Sequence, residues 1–100
     1  MAEIYHVTSG KAWQEARKGS EYKAESLEKE GFIHCCELRQ LRGVLQRYYS
    51  GKKGMIALVI DTDLLTSPVN YETSSSVSEL FPHIYGAINV DAVVDTYQLS

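Results

Sequence analysis

The chain has 100 residues, 44% of them apolar and 23% charged, with a formal net charge of −3. A chain this long makes one domain and buries roughly two thirds of its surface without metal or disulfide staples, which excludes multidomain and fibrous architectures. So small a charge gives the whole molecule no bulk attraction for nucleic acid or an anionic membrane, and the longest apolar run, Met55–Ile60, is far short of the roughly 20 residues of a spanning helix.

In chain order, EIYHV at Glu3–Val7 reads as a strand. Thr8 or Ser9 caps the helix that follows, Lys11 to about Lys18, which Gly19 closes and whose inner stripe is Ala12, Trp13 and Ala16. Tyr22–Glu30 begins extended and ends in a short helix, SLEKE, stopped by Gly31. FIHCCE at Phe32–Glu37 is a second strand. Leu38, Leu41, Val44, Leu45, Tyr48 and Tyr49 then recur at helical spacing and predict an amphipathic helix. SGKKG, residues 50–54, is a loop, and MIALVI is short and continuously apolar, the pattern of a central strand covered on both sides. Asp61–Pro68 turns, Val69–Glu72 extends again, and TSSSVSE at 73–79 is a serine-rich loop. Strand-like pieces at His83–Tyr85 and Ala92–Leu99 finish the chain. The order predicts one small α+β domain over 1–100, with a mainly antiparallel sheet and two main helices.

Cys35 and Cys36 are adjacent, a spacing poorly placed for a disulfide and unlike CxxC or a secreted cysteine framework. With no leader-like opening, a cytoplasmic protein is expected. Charge is unevenly spread. All ten basic residues lie at or before Lys53, so residues 1–53 carry +3 and the remainder −6. The phosphates of an anionic ligand would meet the N-terminal half. Seven tyrosines against two phenylalanines fit amphipathic aromatics lining a cleft or partner surface.

Each of the three histidines, His6, His34 and His83, lies in a strand-like segment beside a turn signal. Alternation places Ile4 with His6, Phe32 with His34 and Cys36, and Phe81 with His83 and Tyr85. Four readings stay open from the residues alone. A zinc site would use the three histidines with Cys36 or Glu72, although no HxH, HExxH or CxxC pair fixes two ligands locally. A Cys36 nucleophile with His34 as base meets a spacing of nearly 7 Å along one strand face. A nucleotide site would draw on His6, a tyrosine and Glu72, the carboxylate ending an extended segment. A binding module would use the same groups with no chemistry.

The segments IYHVT at 4–8, GSEYKAESL at 19–27, EGFIHC at 30–35, ALVID at 57–61, Tyr71-Glu72, LFPHIYG at 80–86 and INVDAVV at 88–94 come in an order that resembles a family of small bacterial proteins, domain of unknown function 952. Its fold is grouped with ADP-ribosyltransferase-like domains, so the resemblance implies a split sheet gripping NAD between two halves. It implies His6 orienting a ribose, with Val7 departing from the glycine of such enzymes and crowding the ligand's approach. It also implies Glu72 as the carboxylate beside a developing oxocarbenium. Tyr22 and Tyr85 are both open as the stacking tyrosine. Cys36 stands where the family suggests serine, and Ala87 where it suggests proline. The expected site is therefore catalytic Glu72 and His6, with Thr8, Tyr22, Ser26, His34, His83 and Tyr85 as ligand contacts and no metal. NAD enters as a substrate, the alternatives being a non-catalytic ligand- or partner-binding domain and a zinc hydrolase. The partners expected are a small nucleotide-like ligand, no nucleic acid and no membrane, the chain being a monomer or weak homodimer.

Overall fold

The computed structural model describes residues 2–73 and 78–99. Strand β1 (Glu3–Ser9) leads directly into helix α1 (Gly10–Arg17), whose first turn is capped by the Ser9 hydroxyl accepting from the Ala12 N–H at 3.0 Å. After strand β2 (Glu21–Tyr22) comes helix α2 (Glu25–Glu30), which Gly31 ends in the left-handed conformation at φ 88°. Strand β3 (Ile33–His34) precedes helix α3 (Leu38–Tyr48), which opens with a capping box between Glu37 and Gln40. The rest is β4 (Met55–Asp61), β5 (Val69–Thr73), β6 (Leu80–Ile84), β7 (Ile88–Asn89), a 3-10 turn at Val90–Ala92, and β8 (Val93–Gln98). Of the expected 73–79 loop, Thr73 instead closes β5 and residues 74–77 lie outside the described residues.

Among the described residues all strand pairing is antiparallel, in three sheets ordered β1-β4-β8, β3-β6-β5 and β2-β7. With three helices this is an α+β domain; α2, the short SLEKE helix, joins the two main ones. No helix among the described residues is long and apolar enough to cross a membrane.

The expected strand Phe32–Glu37 is cut short, and Pro82 explains where. Ile33 pairs with Ile84 and His34 with His83, which brings Cys35 opposite Pro82. The Cys35 N–H donates to the Pro82 carbonyl at 3.1 Å, but proline has no N–H to return. The ladder stops, and Cys36 crosses to β1 instead. It exchanges both backbone hydrogen bonds with Tyr5 at 2.8 Å. That bridge joins two three-stranded sheets that otherwise stay separate.

Strand β4 is buried on both faces, as its apolar run requires. Leu58 and Ile60 face Ile4, Trp13, Ile33, Ile84 and Ile88 in the main core. Val59 turns the other way, to Tyr5, Cys36 and Phe81, where Leu41 and Val44 of α3 pack over it. Each such side chain, fully buried, is worth roughly 1.5–3 kcal/mol. Leu38, expected to begin the inner stripe of α3, is 62% exposed instead. It sits in the first helical turn, before the helix lies down on the sheet.

Candidate functional site

Where β1 and β3 part beyond the Cys36–Tyr5 bridge, α3 roofs a cavity of about 470 Å³. This lies within the roughly 300–1,000 Å³ usual for small-molecule sites. Tyr5 and Val7 of β1, His34, Cys36, Phe81 and His83 form its walls, and Tyr48 at the end of α3, with Tyr49 and Lys52 in the segment that follows, completes it.

His83 is the unusual group there. It is 4% exposed, its Nδ1 donates to Glu72 Oε1 at 2.8 Å, and its Nε2 is buried with no hydrogen-bond partner among the described residues. Phe32 stacks on the imidazole with centroids 4.2 Å apart and planes 15° from parallel, and the His34 ring meets it edge-on at 5.3 Å. Glu72 reaches His83 diagonally from β5, because Glu72 pairs with Phe81 and Asn70 with His83. The Tyr85 hydroxyl donates to the same Oε1 at 2.5 Å. These contacts, Tyr85 first and His83 second, hold the Glu72 carboxyl below the usual carboxylate range, and the same bond pushes the Tyr85 hydroxyl up. A buried polar atom left without a partner costs about 1–3 kcal/mol. Such an orphaned atom in a native fold calls for an explanation, a catalytic role and a bound water or ion among them.

His6 belongs to a different cluster. Its Nδ1–H donates to the His34 carbonyl at 2.7 Å, spanning the gap where β1 and β3 no longer pair. The Tyr22 hydroxyl sits 2.9 Å from His6 Nε2 and 2.9 Å from Thr8 Oγ1, and the two hydroxyl protons suffice for both contacts. All three side chains are buried, and burial pushes the His6 pKa down to about 4. Ile4, His6 and Thr8 share the face of β1 opposite Tyr5 and Val7, and none of them lines the cavity.

The structure thus divides the expected site. His34, His83, Tyr85 and Glu72 come together, with His34 and His83 in the cavity wall and Glu72 and Tyr85 behind His83. His6, Thr8 and Tyr22 come together on the far face of β1, joined to the first group only through the His34 backbone. Ser26, half-buried on α2, stands apart from both. The single cleft expected for all three histidines is replaced by two clusters, because β1 is buried on both sides and its alternate residues serve different ones. Phe32, Tyr5, Tyr49 and Lys52 were not expected in the site. Phe32 had a signal, the strand face it shares with His34; the others depend on how α3 and β1 pack.

The cysteine and metal readings find little here. Burial pushes the Cys36 thiol up to about 12 and Cys35 well above its ordinary range, so both are held as unreactive thiols. Among the described residues, no group of three or more His, Cys, Asp or Glu side chains is placed to hold a metal ion.

The His6 cluster makes a structural prediction. Tyr22→Phe takes away the hydroxyl that both His6 Nε2 and Thr8 contact, and urea unfolding is expected to show a loss of about 1.5 kcal/mol. An unchanged midpoint would mean that the hydroxyl contacts contribute nothing to the fold.

The chain belongs to the family described as proteins of unknown function, DUF952, which residues 7–96 match. No curated protein matches it. Among solved structures, the crystal structure of protein CC0527 from Caulobacter crescentus is similar, with 22% identity and a TM-score of 0.87 over 99% of this chain and 87% of that one. The solution structure of the same protein has 23% identity and a TM-score of 0.83, covering 100% of this chain and 86% of that one. At this level of identity the likeness shows the fold.

Proposed function

We propose that this member of the DUF952 family binds a small nucleotide-type ligand between its two main sheets, with His83 as the group that exchanges a hydrogen bond or a proton with it. One observation carries the reading: a buried histidine in a cavity wall, tied through Nδ1 to a carboxylate and left without a partner at Nε2. A carboxylate that orients a histidine from behind also stabilises the imidazolium formed when the ring takes up a proton. Tyr5, Tyr48 and Tyr49 supply aromatic lining suited to a base or nicotinamide ring, and Lys52, whose ammonium lies 5.4 Å from the Tyr49 ring centroid, supplies a cation for phosphate.

NAD is the first candidate. In a glycohydrolase reading, water attacks the ribose carbon bonded to nicotinamide, the C–N bond breaks with its electrons leaving on nicotinamide, and His83 takes the water's proton. An acceptor hydroxyl in place of water gives ADP-ribose transfer. Glu72 acts through His83 in this scheme, and His6 holds the His34 strand against β1. A binding domain without chemistry is the second reading, favoured by Glu72 being engaged with His83 and Tyr85.

Titration of labelled protein with millimolar NAD tests the proposal. Amide and imidazole shifts are expected at Tyr5, His34, Tyr49 and His83, and they should vanish in His83→Phe, which keeps the stack on Phe32. Nicotinamide release that falls about a hundredfold or more in Glu72→Gln, with binding kept, supports the enzyme. Binding with no release in the wild type supports the second reading. No shift anywhere in the cavity sinks the nucleotide assignment.

A further inference from the structure

The cavity reading leaves open which kind of ligand group His83 meets, and the clamp behind the ring bears on that. Glu72 is on β5, an edge strand of its sheet, and its side chain is 41% exposed. An exposed glutamate normally samples several rotamers, each fixed rotamer costing entropy. Here one oxygen, Oε1, receives two donors at once, His83 Nδ1 at 2.8 Å and the Tyr85 hydroxyl at 2.5 Å. Tyr85 stands just beyond the end of β6, and its own N–H donates to the Pro68 carbonyl at 2.8 Å. Its ring also packs against Phe32, centroids 5.4 Å apart, the same ring that stacks on His83. The tyrosine is therefore anchored through backbone and ring, and it holds Glu72 where His83 needs it.

A carboxylate at Nδ1 accepts only. It keeps the proton of the neutral imidazole on Nδ1 and leaves Nε2 with a lone pair. We propose that Tyr85 is a positioning residue: by pinning Glu72 it locks His83 in the Nδ1–H tautomer, so that Nε2 accepts a hydrogen bond and the cavity selects a ligand that presents an O–H or N–H donor. The selectivity part rests on the cavity reading above; the tautomer part stands on the free protein. A ribose diol carries the required donors, and its dideoxy counterpart does not.

Long-range proton–nitrogen spectra of the imidazoles in the free protein test the lock. The wild type is expected to show His83 as a single Nδ1–H tautomer. In Tyr85→Phe, which keeps the ring and the fold, Glu72 is freed and a mixture of both tautomers is expected. Glu72→Gln keeps an accepting oxygen and should keep the Nδ1–H form. A wild-type His83 carrying its proton on Nε2, or a Tyr85→Phe spectrum identical to the wild type, overturns the proposal, since a purely structural tyrosine would leave the tautomer alone. Titration with adenosine and 2′,3′-dideoxyadenosine then reads selectivity, with adenosine expected to bind about tenfold more tightly and Tyr85→Phe expected to narrow that ratio. Equal affinities overturn the ribose diol as the selected donor while leaving the cavity a ligand site. Failure of both nucleosides to bind removes the nucleotide reading, and the imidazole spectra still decide the lock.

Discussion

Lowering the pH from 7 to 4 is expected to remove about 3 kcal/mol of folding free energy through His6 alone. The ring is buried, and its pKa falls from an ordinary 6.5 to about 4, first because burial disfavours the imidazolium. Between those two values the unfolded chain holds a proton that the folded chain does not. Stability therefore rises with pH through this window, is complete above about 6.5, falls as the pH drops toward 4, and levels off below. Glu72 and Glu25 have carboxyls held low in the fold, so they add losses of the same sign, but only from about 4.5 downward, at the acid end of the histidine window and below it. Urea midpoints at half-unit steps from pH 7 to 4 give the slope, which should approach about 1.4 kcal/mol per pH unit near the middle. His6→Leu starts from a lower stability, since Tyr22 and Thr8 lose a partner, yet its slope between pH 6.5 and 5 should be shallower than the wild type's by the His6 share. Equal slopes in the two proteins would show that His6 takes up its proton as readily folded as unfolded.

The contrast between His6 and His83 shows how far local pattern reaches. Strand alternation correctly grouped Phe32 with His34 and Phe81 with His83 and Tyr85, and the stacked Phe32 and His83 rings result from those groupings meeting across one ladder. Alternation says nothing about which ladders form. That His34 lies opposite His83, and that Glu72 lands diagonally behind it, are matters of long-range register between β3, β6 and β5. The division of the histidines was hidden for another reason. When only one face of a strand is buried, alternation tells inside from outside; β1 is buried on both, so the pattern could not tell the main core from the cavity. The residues themselves singled out the three histidines and Glu72, resemblance gave His6 and Glu72 their expected roles, and packing then sorted them.

The helices and β4 were legible because their signals are local: a serine cap, a glycine stop, a 3.6-residue stripe, a short apolar run. The early end of β3 was written in the sequence too, at Pro82, but its effect falls on a residue 47 positions earlier and needs the pairing register to be read. The same proline both ends the ladder and sends Cys36 to β1, which opens the space that α3 roofs.

Gly86, at the other end of the FPHIYG segment, gives the second large expected effect. Its φ is +155°, and a Cβ placed on it would lie 2.5 Å from Ser67 Oγ and 3.0 Å from Ser67 Cβ. Ser67 has little room to give way, because its hydroxyl donates to the Ala87 carbonyl at 2.6 Å and the next residue, Pro68, accepts from the Tyr85 N–H. Gly86→Ala is expected to cost about 3 kcal/mol: roughly 1–3 for backbone that L-residues rarely adopt and about 1 for the displaced Ser67 hydrogen bond. On a Ser67→Gly background, where neither the clash nor that hydrogen bond exists, Gly86→Ala should cost only the backbone share, about 1 kcal/mol less than in the wild type, a split that urea unfolding of the single and double variants measures. The consequence for the site follows from the chain order. Tyr85 immediately precedes Gly86, so a shifted backbone carries the tyrosine off Glu72 and should produce the mixed His83 tautomers expected of Tyr85→Phe. A Gly86→Ala protein of wild-type stability, with its His83 spectrum unmoved, would mean that the turn absorbs the methyl without passing strain to the clamp. With strain passed on, the Gly86 turn that directly follows Tyr85 decides whether His83, inside β6, and Tyr85, just beyond it, hold one carboxylate.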